Sequence, residues 1–172
     1  MSGLLINVLE LMRLETGPGA INSDWHSLEE LLGSAVRNNE PRLVNFKLSS
    51  AIPADLPFIY VDGQLMVQLL SNLLENATKH TAPGTHVRVA IHRHDGLLRI
   101  VVEDNGPGFC GHDPERLFEK FERGHGESHV SGVGLGLAIC RAIVQLHRGT
   151  ISACDRPGGG ARFEIEIPEA SA

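Results

Sequence analysis

Residues 104–108 read DNGPG at the end of an apolar strand pattern, and residues 132–139 read GVGLGLAI, running into an apolar helix pattern. Glycines in such runs let backbone pack close against a neighbour, and phosphate is the usual guest. Two such points in one 172-residue chain restrict its fold more than any other feature. The second stretch sets bare N–H groups at a helix N-terminus, where donors are unpaired and the dipole is positive, so it reads as an anion site. The alternative is a flexible linker that happens to precede a helix. Three familiar glycine signatures do not fit. No GxxxxGK[ST] string occurs, and Gly132, Gly134 and Gly136 form GxGxG after a polar loop rather than GxGxxG after a strand. A protein-kinase pattern would need a strand lysine where the chain has His92, and HRHD at 92–95 falls in a turn.

Leu4, Leu5, Val8, Leu11 and Met12 recur at helical spacing until TGPG at 16–19 stops them. This is a core helix, or a helix whose partner lies on another segment. Ser27 and Glu30 form a capping box before LEELLGSAVRN, which Pro41 ends. Val44, Phe46 and Leu48 alternate as a strand, FIYV at 58–61 is a short one, and Asp62 caps a long helix, GQLMVQLLSNLLENATKH. Val87, Val89 and Ile91 mark one face of the next strand; Asp95-Gly96 is a hairpin turn returning as LLRIVVED. Asp113 and Pro114 begin a short helix, ERLFEKF. A helix from about Leu135 to Arg148 stops at Gly149, and TISAC and ARFEIEI form a second hairpin. Helices mixed with antiparallel hairpins predict an α+β fold, a two-layer α/β sandwich, and exclude strict βαβ alternation.

The length suits one domain. The net charge of −6 and the absence of a basic block leave no footprint for nucleic acid. Three cysteines, an odd count without CxxC spacing, suit a reducing compartment. No apolar run reaches the roughly 20 residues of a membrane span. The first residues lack a secretory signal, and their open-ended helix reads as part of a longer protein. The expectation is a cytoplasmic, monomeric fragment.

Asn72, Asn76 and Lys79 fall at i, i+4 and i+7, on one side of the long helix. A carboxamide oxygen suits Mg²⁺ and a lysine meets phosphate as a point charge, although a solvated flank looks the same. Asp104, at a strand end, is an Asx-turn former or an acceptor for a ligand amine. His92 with His94, and His125 with His129, have pair spacing for a metal but no evident third ligand.

In order, NLLENATKH (72–80), DNGPG (104–108), FEKFERG (118–124), GVGLGLAI (132–139) and GGGARF (158–163) resemble the N, G1, F, G2 and final glycine boxes of one family. It is the catalytic ATP-binding domain of bacterial sensor histidine kinases, of the gyrase–chaperone–kinase–MutL (GHKL, Bergerat) superfamily. The resemblance covers roughly residues 25–168. LMRLETG, the tryptophan after it and EELLGSAV are further similar to the potassium-sensing, Kdp-type branch. The resemblance implies a mixed sheet of about five strands covered on one face by three helices. It implies that residues 1–20 are the end of a dimerisation-domain helix with its linker, and residues 21–172 the catalytic domain.

The cofactors implied are ATP and Mg²⁺. Asn76 would hold Mg²⁺, with Asn72 and Lys79 as catalytic residues near the phosphates. Asp104 would bond the adenine amine, and Gly106 and Gly108 would let the base approach. Gly132, Gly134 and Gly136, with Leu137, would anchor a lid and bind phosphate, and Phe118 and Phe121 would pack its hinge or simply the core. His80 stands where many relatives carry Tyr or Phe, and Ala161 where many carry Thr. The H-E-x-[RK]-x-P string of an acceptor histidine does not occur, and His26 has another context. The implied partners are therefore ATP or ADP, a phosphoacceptor domain elsewhere in an inner-membrane parent, and a response regulator. Two alternatives share the superfamily: a hydrolytic ATPase, which needs a glutamate where Asn72 stands, and an anti-sigma serine kinase.

Overall fold

The structure, a computed structural model, describes residues 2–16, 21–56, 58–120 and 134–169. Helix α1 (Ser2–Thr16) leads to strand β1 (Ser23–Ser27), helices α2 (Leu28–Asn38) and α3 (Glu40–Leu43), and strands β2 (Lys47–Ala51) and β3 (Phe58–Asp62). Helix α4 (Gly63–Lys79) precedes the hairpin β4 (His86–His94) and β5 (Leu97–Asp104). A 3₁₀ turn (Pro114–Phe118), helix α5 (Gly136–Leu146) and the hairpin β6 (Thr150–Asp155) and β7 (Ala161–Pro168) complete the order.

Five strands form one mixed sheet in the order β2-β4-β5-β7-β6, with β2 parallel to β4 and the other neighbours antiparallel. The expected alternation holds. Val87, Val89 and Ile91, then Leu98, Ile100 and Val102, then Phe163, Ile165 and Ile167, all enter one core with α2, α4 and α5. On α4 the buried stripe is Met66, Leu69, Leu70, Leu73, Leu74 and Ala77, with Leu65 half-buried. On the opposite sheet face, Glu103 is buried beneath Arg88 (3.3 Å), Arg156 (3.6 Å) and Arg162 (3.8 Å). Arginine stems there do what a second helix layer would otherwise do.

Several local signals act as read. Ser27 Oγ accepts the Glu30 N–H at 3.4 Å, and Asp62 Oδ1 accepts the N–H groups of Gln64 and Leu65, each at 3.1 Å. Asp95 (φ 50°) and Gly96 (φ 75°) make the tight β4–β5 turn. Other features differ from expectation. Pro41 does not end the helical region but opens α3, so Val44 lies outside any strand and is exposed, and β2 starts only at Lys47. Strand β1 had no apolar run to announce it; it pairs antiparallel with β3, and Trp25 meets Tyr60 across the ribbon with ring centroids 5.5 Å apart. The stripe of α1 divides: Leu11 is buried and Val8 half-buried, whereas Leu5 and Met12 are exposed with Ile6 and Leu9.

Helix α5 ends as expected near Gly149, but the left-handed residue is Arg148 (φ 58°). The Gly149 N–H then bonds the Val144 carbonyl at 2.9 Å, a Schellman closure. Glycine is needed at 149 for space, because a Cβ there would lie 2.3 Å from the Glu166 carbonyl oxygen on β7. His147 ties this end of α5 to the start of α4. Its Nε2 accepts the Asp62 N–H at 3.0 Å, which leaves the proton on Nδ1 to donate to the Ile143 carbonyl at 2.8 Å.

Asp62→Ala removes the α4 cap and also the acceptor for the Asn22 N–H at 3.0 Å. It should lower stability by about 1 kcal/mol. The check is thermal unfolding, in which the midpoint should fall by about 2–4 °C with the folded circular-dichroism spectrum retained.

Candidate functional site

The site is built where β5 runs out of the sheet. Its last residue, Asp104, is 5 % exposed. Oδ1 accepts the Gly106 N–H at 2.8 Å, as an Asx turn does, and the Ala161 N–H of β7 at 3.2 Å. Asn105 fastens the same loop to β4: its Oδ1 accepts the His86 N–H at 2.7 Å, and its own N–H bonds the His86 carbonyl at 3.2 Å.

The glycines here are fitted against protein atoms. At Gly106 a Cβ would come within 2.5 Å of Thr81 Cγ2, just past the end of α4. At Gly108 (φ +72°) it would meet Asp155 Oδ1 at 2.4 Å, and at Gly160 (φ +109°) it would meet the Asp104 carbonyl oxygen at 1.9 Å. Asp155 Oδ1 accepts the Phe109 N–H at 2.7 Å. The 104–109 loop and the β6–β7 turn are thereby locked backbone to backbone. Thr81 follows the NLLENATKH stretch and Asp155 precedes GGGARF, and neither has a local signal for this role.

Beneath the loop, Phe109 and Phe118 both meet Phe163 edge to face, at 5.8 and 6.3 Å between centroids. Phe118 is buried in the core, and the Arg141 guanidinium lies 4.4 Å over its ring. Arg141 in turn pairs with Glu115 at 2.6 Å. Phe121 and Gly132 lie outside the described residues, as do His125 and His129. Among the described residues no group of three or more His, Cys, Asp or Glu is arranged to hold a metal ion.

The second half of the site is the meeting of α4 and α5. Asn72 Nδ2 donates to the Gly136 carbonyl at 3.3 Å, so the side chain holds the first residue of α5 against α4. Gly134 is left-handed (φ 71°), and among the described residues no side chain caps α5 at Leu135. The first-turn N–H groups of Gly136, Leu137 and Ala138 therefore begin the helix without a side-chain acceptor among the described residues. Asn72, Asn76 and Lys79 are all half-buried on one flank of α4. Glu75 joins that flank through Lys79: Lys79 Nζ lies 2.8 Å from its Oε1, and Arg42 of α3 binds the same oxygen. Partial burial pushes the Glu75 carboxyl up, but Lys79 and Arg42 together outweigh it and hold it below its usual range.

The thiol of Cys140 lies just behind Asn72. Burial pushes it up to about 12, and Sγ donates to the Leu69 carbonyl at 3.8 Å. It is a packing group rather than a nucleophile. Cys110 and Cys154 are exposed. A native-state titration with a thiol-specific disulfide reagent at pH 8 should count two thiols, with the third appearing only in denaturant.

Three comparisons bear on this geometry. The family model described as histidine kinase-, DNA gyrase B- and HSP90-like ATPase matches residues 61–171. The sensor protein KdpD of Escherichia coli K12 is 43 % identical over 98 % of this chain, and KdpD of Clostridium acetobutylicum 31 % identical over 96 %. The chain spans about one fifth (19 %) of the length of each. Among solved structures, full-length ShkA in complex with AMPPNP superposes with a TM-score of 0.82 at 29 % identity, over 99 % of this chain and 36 % of that one. Histidine kinase ThkA, solved with response regulator protein TrrA, shares the fold with a TM-score of 0.77 at 23 % identity, over 98 % of this chain and 48 % of that one.

Proposed function

Because the chain belongs to the histidine kinase-, DNA gyrase B- and HSP90-like ATPase family and is the ATP-binding catalytic domain of a sensor histidine kinase, we propose that it presents the γ-phosphoryl group of Mg·ATP to a histidine on another domain of its parent. The observation that carries this reading is a buried carboxylate at a strand end together with a helix N-terminus that no side chain among the described residues caps. Oδ1 of Asp104 serves the fold, and Oδ2 would accept the adenine amine. The α5 N-terminus, led by Gly134, Gly136 and Leu137, would supply N–H donors to the phosphates.

Asn76 supplies a hard oxygen donor on the flank between Asn72 and Lys79, which fits Mg²⁺. When bound, the ion would neutralise phosphate charge. Lys79 would meet the phosphates as a cation, and Asn72 would hold the α5 N-terminus in place to receive them. Positioning and electrostatics of this kind supply most of phosphoryl-transfer catalysis. The γ-phosphoryl group would leave ADP for an imidazole nitrogen of the acceptor. Helix α1 would be the end of the domain bearing that acceptor; its exposed Leu5, Ile6, Leu9 and Met12 are apolar surface such a bundle would cover. The likeness to Kdp-type sensors points to potassium or osmotic signalling in a membrane-attached parent, and the ThkA–TrrA structure to a response regulator downstream. Among the described residues no helix is long and apolar enough to cross a membrane.

Calorimetry tests the reading directly. ATP and ADP should bind, more tightly with Mg²⁺ than without. Asp104→Asn should weaken ADP by about ten-fold or more, the effect of losing a hydrogen bond to a charged group. Asn76→Ala should remove the Mg²⁺ dependence. Hydrolysis should be negligible; turnover by this chain alone of about 1 per second, ordinary for an enzyme, would instead assign it to the hydrolytic branch.

A further inference from the structure

We propose that Arg42 is a positioning residue for the triphosphate: it shares the Glu75 carboxylate with Lys79 and takes it over when Lys79 turns to the phosphates. This rests on the reading of Lys79 given above.

The local structure presents Arg42 with little freedom. Asn39 is buried, and its Nδ2 donates to the Ala35 carbonyl at 2.9 Å and to the Ser71 carbonyl of α4 at 3.3 Å. Its own carbonyl accepts the N–H groups of Arg42 (2.9 Å) and Leu43 (3.0 Å). Pro41 sets the first turn of α3, and Leu43 is buried behind it. Four residues are thus pinned to α4, one turn before Glu75. Arg42 reaches across and bonds Glu75 Oε1, the oxygen that Lys79 holds at 2.8 Å.

One oxygen with two cations has a simple consequence. If Glu75 had only Lys79, moving the ammonium to a phosphate would strand a half-buried carboxylate. With Arg42 already on Oε1 the carboxylate keeps a partner, and Lys79 can leave at lower cost. A guanidinium suits the standing role because its planar fork loses little freedom per bond. A lysine, a point charge on a flexible stem, suits the moving one. The effect should fall on the nucleotide that draws Lys79 furthest, the triphosphate, and much less on ADP.

The test is a double-mutant cycle on this chain, with dissociation constants for a non-hydrolysable ATP analogue and for ADP, both with Mg²⁺. Arg42→Ala should weaken the ATP analogue about two- to five-fold, the range of a partly exposed ion pair, and change ADP less. Arg42→Lys should restore most of the loss. In a Glu75→Gln background Arg42→Ala should have no further effect, because the carboxylate it serves is gone. Persistence of the loss in that background would mean that Arg42 attracts phosphate directly, and would overturn the proposal; so would an equal loss for both nucleotides. Lys79→Ala separates the two levels. If it does not selectively weaken the ATP analogue, the reading of Lys79 fails and the proposal with it. If it does and the cycle is additive, only the proposal fails. Thermal midpoints of each variant confirm that the chain remains folded.

Discussion

A buried carboxylate without donors is too costly for a folded chain to keep. Asp104 is kept because two backbone N–H groups converge on its Oδ1, one from its own loop and one from β7. That condition propagates. The Gly106 N–H can turn back only if residue 106 has no Cβ to strike Thr81, and Ala161 can approach only if residue 160 has none to strike the Asp104 carbonyl. The loop then passes Gly108 beside Asp155, which takes the next N–H, that of Phe109. One solvation requirement thus accounts for three glycines, a second aspartate and the closing of the β6–β7 turn over the end of β5.

The other half of the site depends on how two helices of one layer meet. The core stripe of α4 faces the sheet, and its neighbouring flank faces the start of α5. Asn72 closes that seam from the α4 side, and the buried Cys140 thiol fills the space behind it. The helix N-terminus is therefore held by the carboxamide of another element rather than capped by its own side chain. Among the described residues no side chain accepts from its first-turn N–H groups, the arrangement the proposed phosphate site would require.

What could be read in the residues follows from the range of the forces involved. The α4 stripe, the β4–β5 hairpin and the caps at Ser27, Asp62 and Asp113 are set by neighbours within a few positions, and each appears where its pattern says. Strand β1 is held by pairing with β3 and by one aromatic contact, and α3 by bonds from Asn39 to α2 and α4. Strand β3 and the Ser71 carbonyl that ties Asn39 to α4 both lie far off in sequence, so nothing local announces either attachment. In the site the same division holds. Asp104 stood out as a carboxylate at a strand end, and Asn72, Asn76 and Lys79 as one helical flank. Asp155 lies 46 positions from the N–H it accepts, and Arg42 lies 33 positions from its carboxylate. No pattern in a single sequence links such pairs.

Water activation would require a carboxylate on the α4 flank proposed to face the phosphates. The helix contains one, Glu75, and it is occupied: two cations share its Oε1 and hold it below the usual carboxyl range, which makes it a poor proton acceptor. The position one turn before Asn76 is Asn72, whose amide is bound to the Gly136 carbonyl and cannot take up a proton. This flank of α4 therefore carries no group poised to deprotonate water. A site so equipped is suited to hand its phosphoryl group to a nucleophile that arrives already formed, such as a neutral imidazole.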